Sequence, residues 1–137
     1  MYDPVMVQPM REELKGIGFT ELTSREEVDE AFNGTSGTAL LVVNSVCGCA
    51  AGQARPGVAL SLTNSRIPDR LYTVFAGQDP EATARARSYL KGYPPSSPSV
   101  ALFKDGEVVA MLERHQIENR SADQVAASLI QEFERFC

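Results

Sequence analysis

Tryptophan is absent from this chain, histidine occurs once and cysteine three times. No apolar run approaches the roughly 20 residues a membrane helix needs, so neither a membrane span nor a membrane partner is expected. The first residues, Met1-Tyr-Asp-Pro-Val-Met-Val7, lack a basic stretch followed by a long apolar one, so no signal peptide is read and a cytoplasmic location is expected. Lys and Arg form no cluster and the net charge is −5, which argues against nucleic acid as a partner. In a reducing compartment an odd number of cysteines points away from a disulfide framework. It points toward reactive or metal-binding thiols.

What the chain has is ordinary for a globular protein: 137 residues, 43% hydrophobic and 23% charged. One domain over residues 1–137 follows, with room for a real core and no linker, repeat or low-complexity tract. Within it, Asn44-Ser-Val-Cys-Gly-Cys-Ala-Ala-Gly52 stands out. It follows an apolar run, Ala39-Leu-Leu-Val-Val43, that reads as a buried strand, and it opens a stretch rich in Ala and Leu that reads as a helix.

The other elements fall on either side. Met10, Leu14 and Ile17 have helical spacing in a segment from Gln8 to Gly16. Phe19–Leu22 is a short strand. Ser24 and Glu27 form a capping box that opens a helix through Phe32. The strand Thr38–Val43 leads to a helix from Cys47 to Leu62, in which Pro56 predicts a kink. Arg70–Ala76 is β-branched and aromatic, hence a strand. Asp79 at the N-cap and Pro80 at N1 start a helix that runs past Leu90 to Gly92. After Tyr93-Pro-Pro-Ser-Ser-Pro98, the segments Val100–Lys104 and Glu107–Leu112 flank Asp105-Gly106, a tight-hairpin signal. Ser121 and Gln124 cap a last helix with Val125, Leu129, Phe133 and Phe136 on one side, ending at Cys137. Strands alternating with helices predict an α/β fold with a largely parallel sheet, to which the hairpin adds one antiparallel pairing.

The chemistry centres on Cys47 and Cys49. A helix starting at or just after Cys47 surrounds its sulfur with free backbone N–H groups at the positive end of the helix dipole. This lowers the thiol pKa from about 8.5 and favours the thiolate, the species that attacks disulfides. Cys47 is therefore the expected nucleophile and Cys49 the resolving partner. Residues two apart on a helix point to different faces, so closing this pair requires distortion, and Gly48 is the residue best able to permit it. A strained disulfide is readily reduced, which favours an isomerase, or a partner for mixed disulfides, over a strong general reductant. The alternative is a metal- or metallocluster-handling protein using the same thiols. Its remaining soft ligands would be Cys137 and His115, whereas metal sites generally need three or four. His115, in Glu113-Arg-His-Gln116, is either a surface residue leading a helix or a general base for the thiols. Cys137 is either a small residue at a frayed terminus or a second resolving thiol. Ser97-Pro98 precedes a strand in a place where a cis bond would turn the chain sharply, although most such bonds are trans.

Pro98-Ser-Val-Ala-Leu-Phe-Lys-Asp-Gly-Glu-Val-Val109 resembles the cis-proline, strand and hairpin of thioredoxins, and the strand–Cys–helix with its internal Pro56 is similar too. More specifically, the chain resembles the bacilliredoxins, thioredoxin-like proteins with a CxC site. The likeness rests on Pro9-Met-Arg-Glu-Glu-Leu14, Val43-Asn-Ser-Val-Cys-Gly-Cys-Ala-Ala-Gly52 with Ala54-Arg-Pro56, Val74-Phe-Ala-Gly-Gln-Asp79 and Pro95-Ser-Ser-Pro-Ser99. Arg114-His115 and the closing Cys137 also fit.

That resemblance implies a thioredoxin-like three-layer α/β/α sandwich with a mixed sheet, a C-terminal hairpin and a terminal helix. It implies no bound cofactor or metal, with bacillithiol or a similar low-molecular-weight thiol as co-substrate. It implies removal of that thiol from S-thiolated cytosolic proteins, with disulfide isomerase activity on disulfide-containing ones. Cys47 would take the small thiol, Cys49 or Cys137 would resolve the adduct, and Gly48, Ser97 and Pro98 would contact substrate. Thioredoxin itself carries a buried acid on the strand and a tryptophan just before its first cysteine; Leu41 and Val46 stand at those spacings here.

Overall fold

The computed structural model describes residues 1–137. Its elements are α1 (Pro4–Lys15), β1 (Thr20–Glu21), α2 (Arg25–Phe32), β2 (Thr38–Asn44), a π-helical turn (Ala50–Ala54) leading into α3 (Arg55–Ser61), β3 (Arg70–Phe75), α4 (Pro80–Ser88), β4 (Ser99–Lys104), β5 (Glu107–Leu112), α5 (Arg114–Ile117) and α6 (Ala122–Phe136). The five strands form one sheet in the order β1-β3-β2-β4-β5.

β2 is central and all seven of its residues are buried. Alternation along it separates two cores, because successive side chains of a strand point to opposite faces. Ala39, Leu41 and Val43 pack with α2 and α4 residues such as Val28, Phe32, Ala82 and Ala86. Leu40 and Val42 face the other way, toward Leu14, Val58, Val125, Leu129 and Phe133 from α1, α3 and α6. Helices therefore cover both faces of the sheet, giving three layers.

β1, β3 and β2 pair in parallel. β4 is antiparallel to β2 and to β5, so the sheet holds two antiparallel pairings rather than the single one expected from the hairpin. The reason is the loop 89–98, which returns the chain to the end where β2 finishes, so that β4 starts with Ser99 opposite Val43. Asp105 and Gly106 both take positive φ, 52° and 82°, which the tight turn between β4 and β5 requires.

Several boundaries differ from those read in the sequence. α1 starts at Pro4, not Gln8, because Asp3 caps it by accepting the Val5 N–H at 2.9 Å. Ile17 lies past its end and is exposed. β1 is two residues long. β3 stops at Phe75 and α4 at Ser88. Asp79 makes no side-chain cap to α4; its carboxylate instead binds Arg11 through both guanidinium ends, at 2.8 and 3.3 Å. The irregularity expected at Pro56 is a π turn immediately before it. Proline has no N–H for the carbonyl four residues back and crowds it, and the wide turn, closed by the Arg55 N–H on the Ala50 carbonyl, removes both difficulties.

α3 and α6 meet at Gly57. A Cβ there would stand 2.6 Å from Val125 Cγ1 and 2.7 Å from Val125 Cβ. Gly→Ala inside a helix normally gains up to about 1 kcal/mol. Here overpacking wins, and Gly57→Ala is expected to destabilise the fold by about 1–3 kcal/mol, read as a lower urea midpoint with an unchanged slope.

Candidate active site

The site is built where β2 ends. Asn44 and Ser45 are buried, and the backbone turns there into the helix that carries the thiol pair. Asn44 Oδ1 accepts the Ser45 N–H at 2.9 Å, and Ser45 Oγ accepts the Cys47 N–H at 3.0 Å. Beneath this turn lies Arg55, whose residue exposure is only 5%. Its Nη1 donates to Asn44 Oδ1 at 2.9 Å and to the Ser45 carbonyl at 3.0 Å, while its Nε donates to the Glu13 carboxylate of α1. Asn44 Nδ2 reaches the Met10 carbonyl at 3.1 Å, which ties the same turn to α1 a second time. A buried cation is retained only when it is paired and hydrogen-bonded, and Arg55 is both.

The helix begins at Gly48, so Cys47 occupies its N-terminal edge. Cys47 and Cys49 are free thiols with their sulfurs 2.6 Å apart. Cys47 Sγ also accepts the Cys49 N–H at 3.4 Å and an Nη2 hydrogen of Arg114 at 3.2 Å. The Cys49 S–H donated to Cys47, helped by the Cys49 and Ala50 N–H groups and the Arg114 charge, holds the Cys47 thiol below its ordinary pKa. Cys49 moves the other way. Burial pushes its thiol up, and donating its proton to Cys47 adds to the effect. The two sulfurs are thus unequal: the surroundings shift Cys47 toward the thiolate and Cys49 toward the thiol.

Gly48 is exposed, outside the left-handed region, and a Cβ on it would meet nothing within 4 Å. Its missing side chain leaves open space beside the sulfurs. Ser97-Pro98 is cis. Ser97 is brought to the pair through Arg114, whose Nη1 donates to the Ser97 carbonyl at 3.2 Å. Ser97, expected to contact substrate, thus has its carbonyl hydrogen-bonded to Arg114. Leu41 is fully buried on β2, and the buried charged group at this turn is Arg55.

Cys137 is not brought to the pair. Its sulfur faces the Thr38 hydroxyl, with Asp69, Lys104 and Arg66 around it, and desolvation raises its pKa. Thr38 begins β2 and Asn44 ends it, six residues of strand or roughly 20 Å apart. His115 is exposed on α5, and no group of three His, Cys, Asp or Glu side chains able to hold a metal ion forms.

Sequence reasoning passed over Arg114 and Arg55. In Glu113-Arg-His-Gln116 attention goes to the histidine, yet the Gln116 side chain accepts the Glu113 N–H at 3.0 Å and so opens α5 at Arg114. An acid and a glutamine three residues apart after a strand were the available signal. No helix in the chain is long and apolar enough to cross a membrane.

This sheet order, with a thiol pair at the end of its central strand and a cis-proline loop alongside, is the thioredoxin fold. Solved structures agree. Thioredoxin from Fasciola hepatica superposes with a TM-score of 0.60 at 16% identity, over 87% of this chain and 100% of that one. Mitochondrial thioredoxin 3 from Saccharomyces cerevisiae gives 0.60 at 14%, over 90% and 98%. These likenesses show the fold; the class, a thiol–disulfide oxidoreductase, rests on the sequence matches as well.

The family follows from sequence. Residues 2–137 match the disulphide isomerase family profile. A bacilliredoxin of Koribacter versatilis is 53% identical over all of this chain and 94% of its own length. Others from Bacillus cereus and Cytophaga hutchinsonii are 58% and 57% identical, over 96% and 94% of this chain and 91% and 95% of theirs. The chain belongs to the bacilliredoxin family.

Two expectations test the geometry. Cys49→Ala removes the thiol donor to Cys47, so the pH midpoint of the Cys47 thiolate absorbance at 240 nm is expected to rise; a midpoint that stays or falls would contradict the bond. Arg55→Met leaves the buried Ser45 carbonyl without its donor and is expected to lower stability by about 1–3 kcal/mol in denaturant titration.

Proposed function

We propose that this oxidoreductase removes a low-molecular-weight thiol, bacillithiol or one like it, from S-thiolated cytoplasmic proteins, and that the same pair rearranges disulfides in proteins that carry them. The observation that carries the reading is the set of donors gathered on one sulfur: Cys47 Sγ lies 2.6 Å from the Cys49 sulfur and accepts the Cys49 N–H and an Arg114 Nη2 hydrogen, which favours it as the attacking thiolate.

In the first step the Cys47 thiolate attacks the small-thiol sulfur of the mixed disulfide. The old S–S bond breaks, Cys47 becomes bonded to the small thiol, and the client leaves as thiolate. Cys47 then no longer accepts the Cys49 proton, so the force holding that proton disappears. Cys49, once deprotonated, attacks Cys47 and releases the small thiol as thiolate, leaving the Cys47–Cys49 disulfide. Resolution is assigned to Cys49 because Cys137 lies at the far end of β2. Gly48 leaves room for the adduct, and Ser97 and Pro98 form the neighbouring wall against which the client chain rests. No bound cofactor enters either step.

Mass spectrometry after exposure to bacillithiol disulfide and, separately, to glutathione disulfide tests this. The unmodified protein and Cys137→Ser are expected to end as the internal disulfide, two hydrogens lighter. Cys49→Ser should retain one small-thiol adduct on Cys47, and Cys47→Ser should take none and lose essentially all activity. Full activity in Cys47→Ser would overturn the reading.

A further inference from the structure

We propose that Arg114 is a specificity-determining residue: its guanidinium takes a carboxylate on the small-thiol half of the mixed disulfide and so decides which of the two sulfurs Cys47 attacks. This rests on the mixed-disulfide chemistry above and adds the class of small thiol that the site prefers.

The placement of the guanidinium carries the inference. Its three nitrogens reach three different neighbours: Nε the Glu118 carboxylate at 3.1 Å, Nη1 the Ser97 carbonyl at 3.2 Å, and Nη2 the Cys47 sulfur at 3.2 Å. Glu118, the residue that ends α5, together with the Ser97 carbonyl, fixes the plane of the fork. With those two edges held, Nη2 is aimed at the reacting atom. The side chain remains 47% exposed, so a ligand arriving at Cys47 from solvent can reach it.

Consider what the first step does to that arrangement. Before attack, Nη2 donates to the Cys47 sulfur, and its charge compensates that sulfur when it reacts as thiolate. When Cys47 forms its bond to the small thiol, the electron pair moves to the departing client sulfur and Cys47 becomes a neutral disulfide sulfur. Nη2 then loses its anionic partner at the moment the new group is attached 3 Å away, on the order of one hydrogen-bond length. A carboxylate on that group restores a charge-assisted bond; a neutral group leaves the donor to water, and a cationic group repels it. Glu118 does not satisfy this donor, because it is bound along the Nε edge.

The same logic sets the direction of attack. A mixed disulfide offers two sulfurs, one attached to the client and one to the small thiol. Exchange at the client sulfur would leave the client on Cys47 and the small thiol in solution. A carboxylate drawn to Nη2 brings its own sulfur next to Cys47 and turns the client sulfur outward as leaving group. Arg114 thereby favours the productive orientation without being consumed or changed.

The test uses a model protein with one cysteine, carried as mixed disulfides with 3-mercaptopropionate, 2-mercaptoethanol and cysteamine. These are similar in size and differ in charge: negative, neutral and positive. For the unmodified protein, the second-order rate constant for client release is expected to fall in that order, spanning about tenfold or more at low salt and shrinking as salt is added. Arg114→Gln should compress the span to within about twofold, and Arg114→Lys should retain most of it. In a Cys49→Ser background, the adduct trapped on Cys47 should be the small thiol when Arg114 is present, with client adduct gained in Arg114→Gln. Titration of Cys47 at 240 nm in each variant separates the two roles of the cation. If Arg114→Gln slows all three substrates by one factor, Arg114 acts only on the thiolate and the proposal is overturned. Equal rates on all three by the unmodified protein overturn the proposal alone, whereas turnover of none overturns the mixed-disulfide reading with it. Urea midpoints within error of each other show that the variants are folded.

Discussion

The turn between β2 and the thiol-bearing helix depends on one buried cation. Arg55 donates to Asn44 and to the Ser45 carbonyl and is itself held by Glu13 from α1. Asn44 and Ser45 in turn orient the backbone of Cys47. Hydrogen bonds to a charged group are the strong ones, and inside a protein few competitors can replace them. The guanidinium therefore does by fixed geometry what a loop of small residues could not do alone: it sets where the first sulfur sits relative to the sheet. Because Glu13 belongs to the first helix, the N-terminal segment is part of the site's foundation.

On that foundation the two thiols are made different by their neighbours, not by their own chemistry. Cys47 collects donors: a thiol proton, a backbone N–H and a guanidinium. Cys49 is desolvated and keeps its proton, which it shares with Cys47 only as a hydrogen bond. A thioredoxin-like site with an acid beneath the pair has a group that can shuttle protons. Here the strand position at that spacing is Leu41, fully buried, and the polar group under the turn is a cation. A buried cation offers no base for the Cys49 proton, and Gly48, which contributes no side chain, leaves the outer side of the site open.

Much of the architecture was legible in the sequence because its signals were local. The apolar run Ala39–Val43 marked the central strand, Ser24 with Glu27 and Ser121 with Gln124 marked two helix starts, and Asp105-Gly106 marked the hairpin. The CGC stretch after a strand marked the pair. What failed needed information from elsewhere in the chain. The direction of β4 depends on where the loop before it ends, not on its own residues. Asp79 reads as an N-cap until Arg11, 68 residues away, claims its carboxylate. Cys137 shares a helix face with core residues, but only the sheet reveals that this face delivers it to the wrong pole. Arg55 and Arg114 gave no hydrophobic signal at all, and their roles emerge only when distant backbone segments converge on them.

The π turn at Ala50–Ala54 has a consequence for how this helix relates to its surroundings. Such a turn accommodates one residue more than an α turn, and each residue of an α-helix advances the azimuth by about 100°. The inserted residue therefore resets the angular phase of everything that follows. Arg55 then faces the buried turn and Gly57 faces Val125 of α6, while the thiol pair upstream faces the open end of the sheet. An unbroken α-helix could satisfy one of these orientations but not both. The wide turn works as a phase shifter, letting the reactive end and the packed end of a single helix be oriented independently.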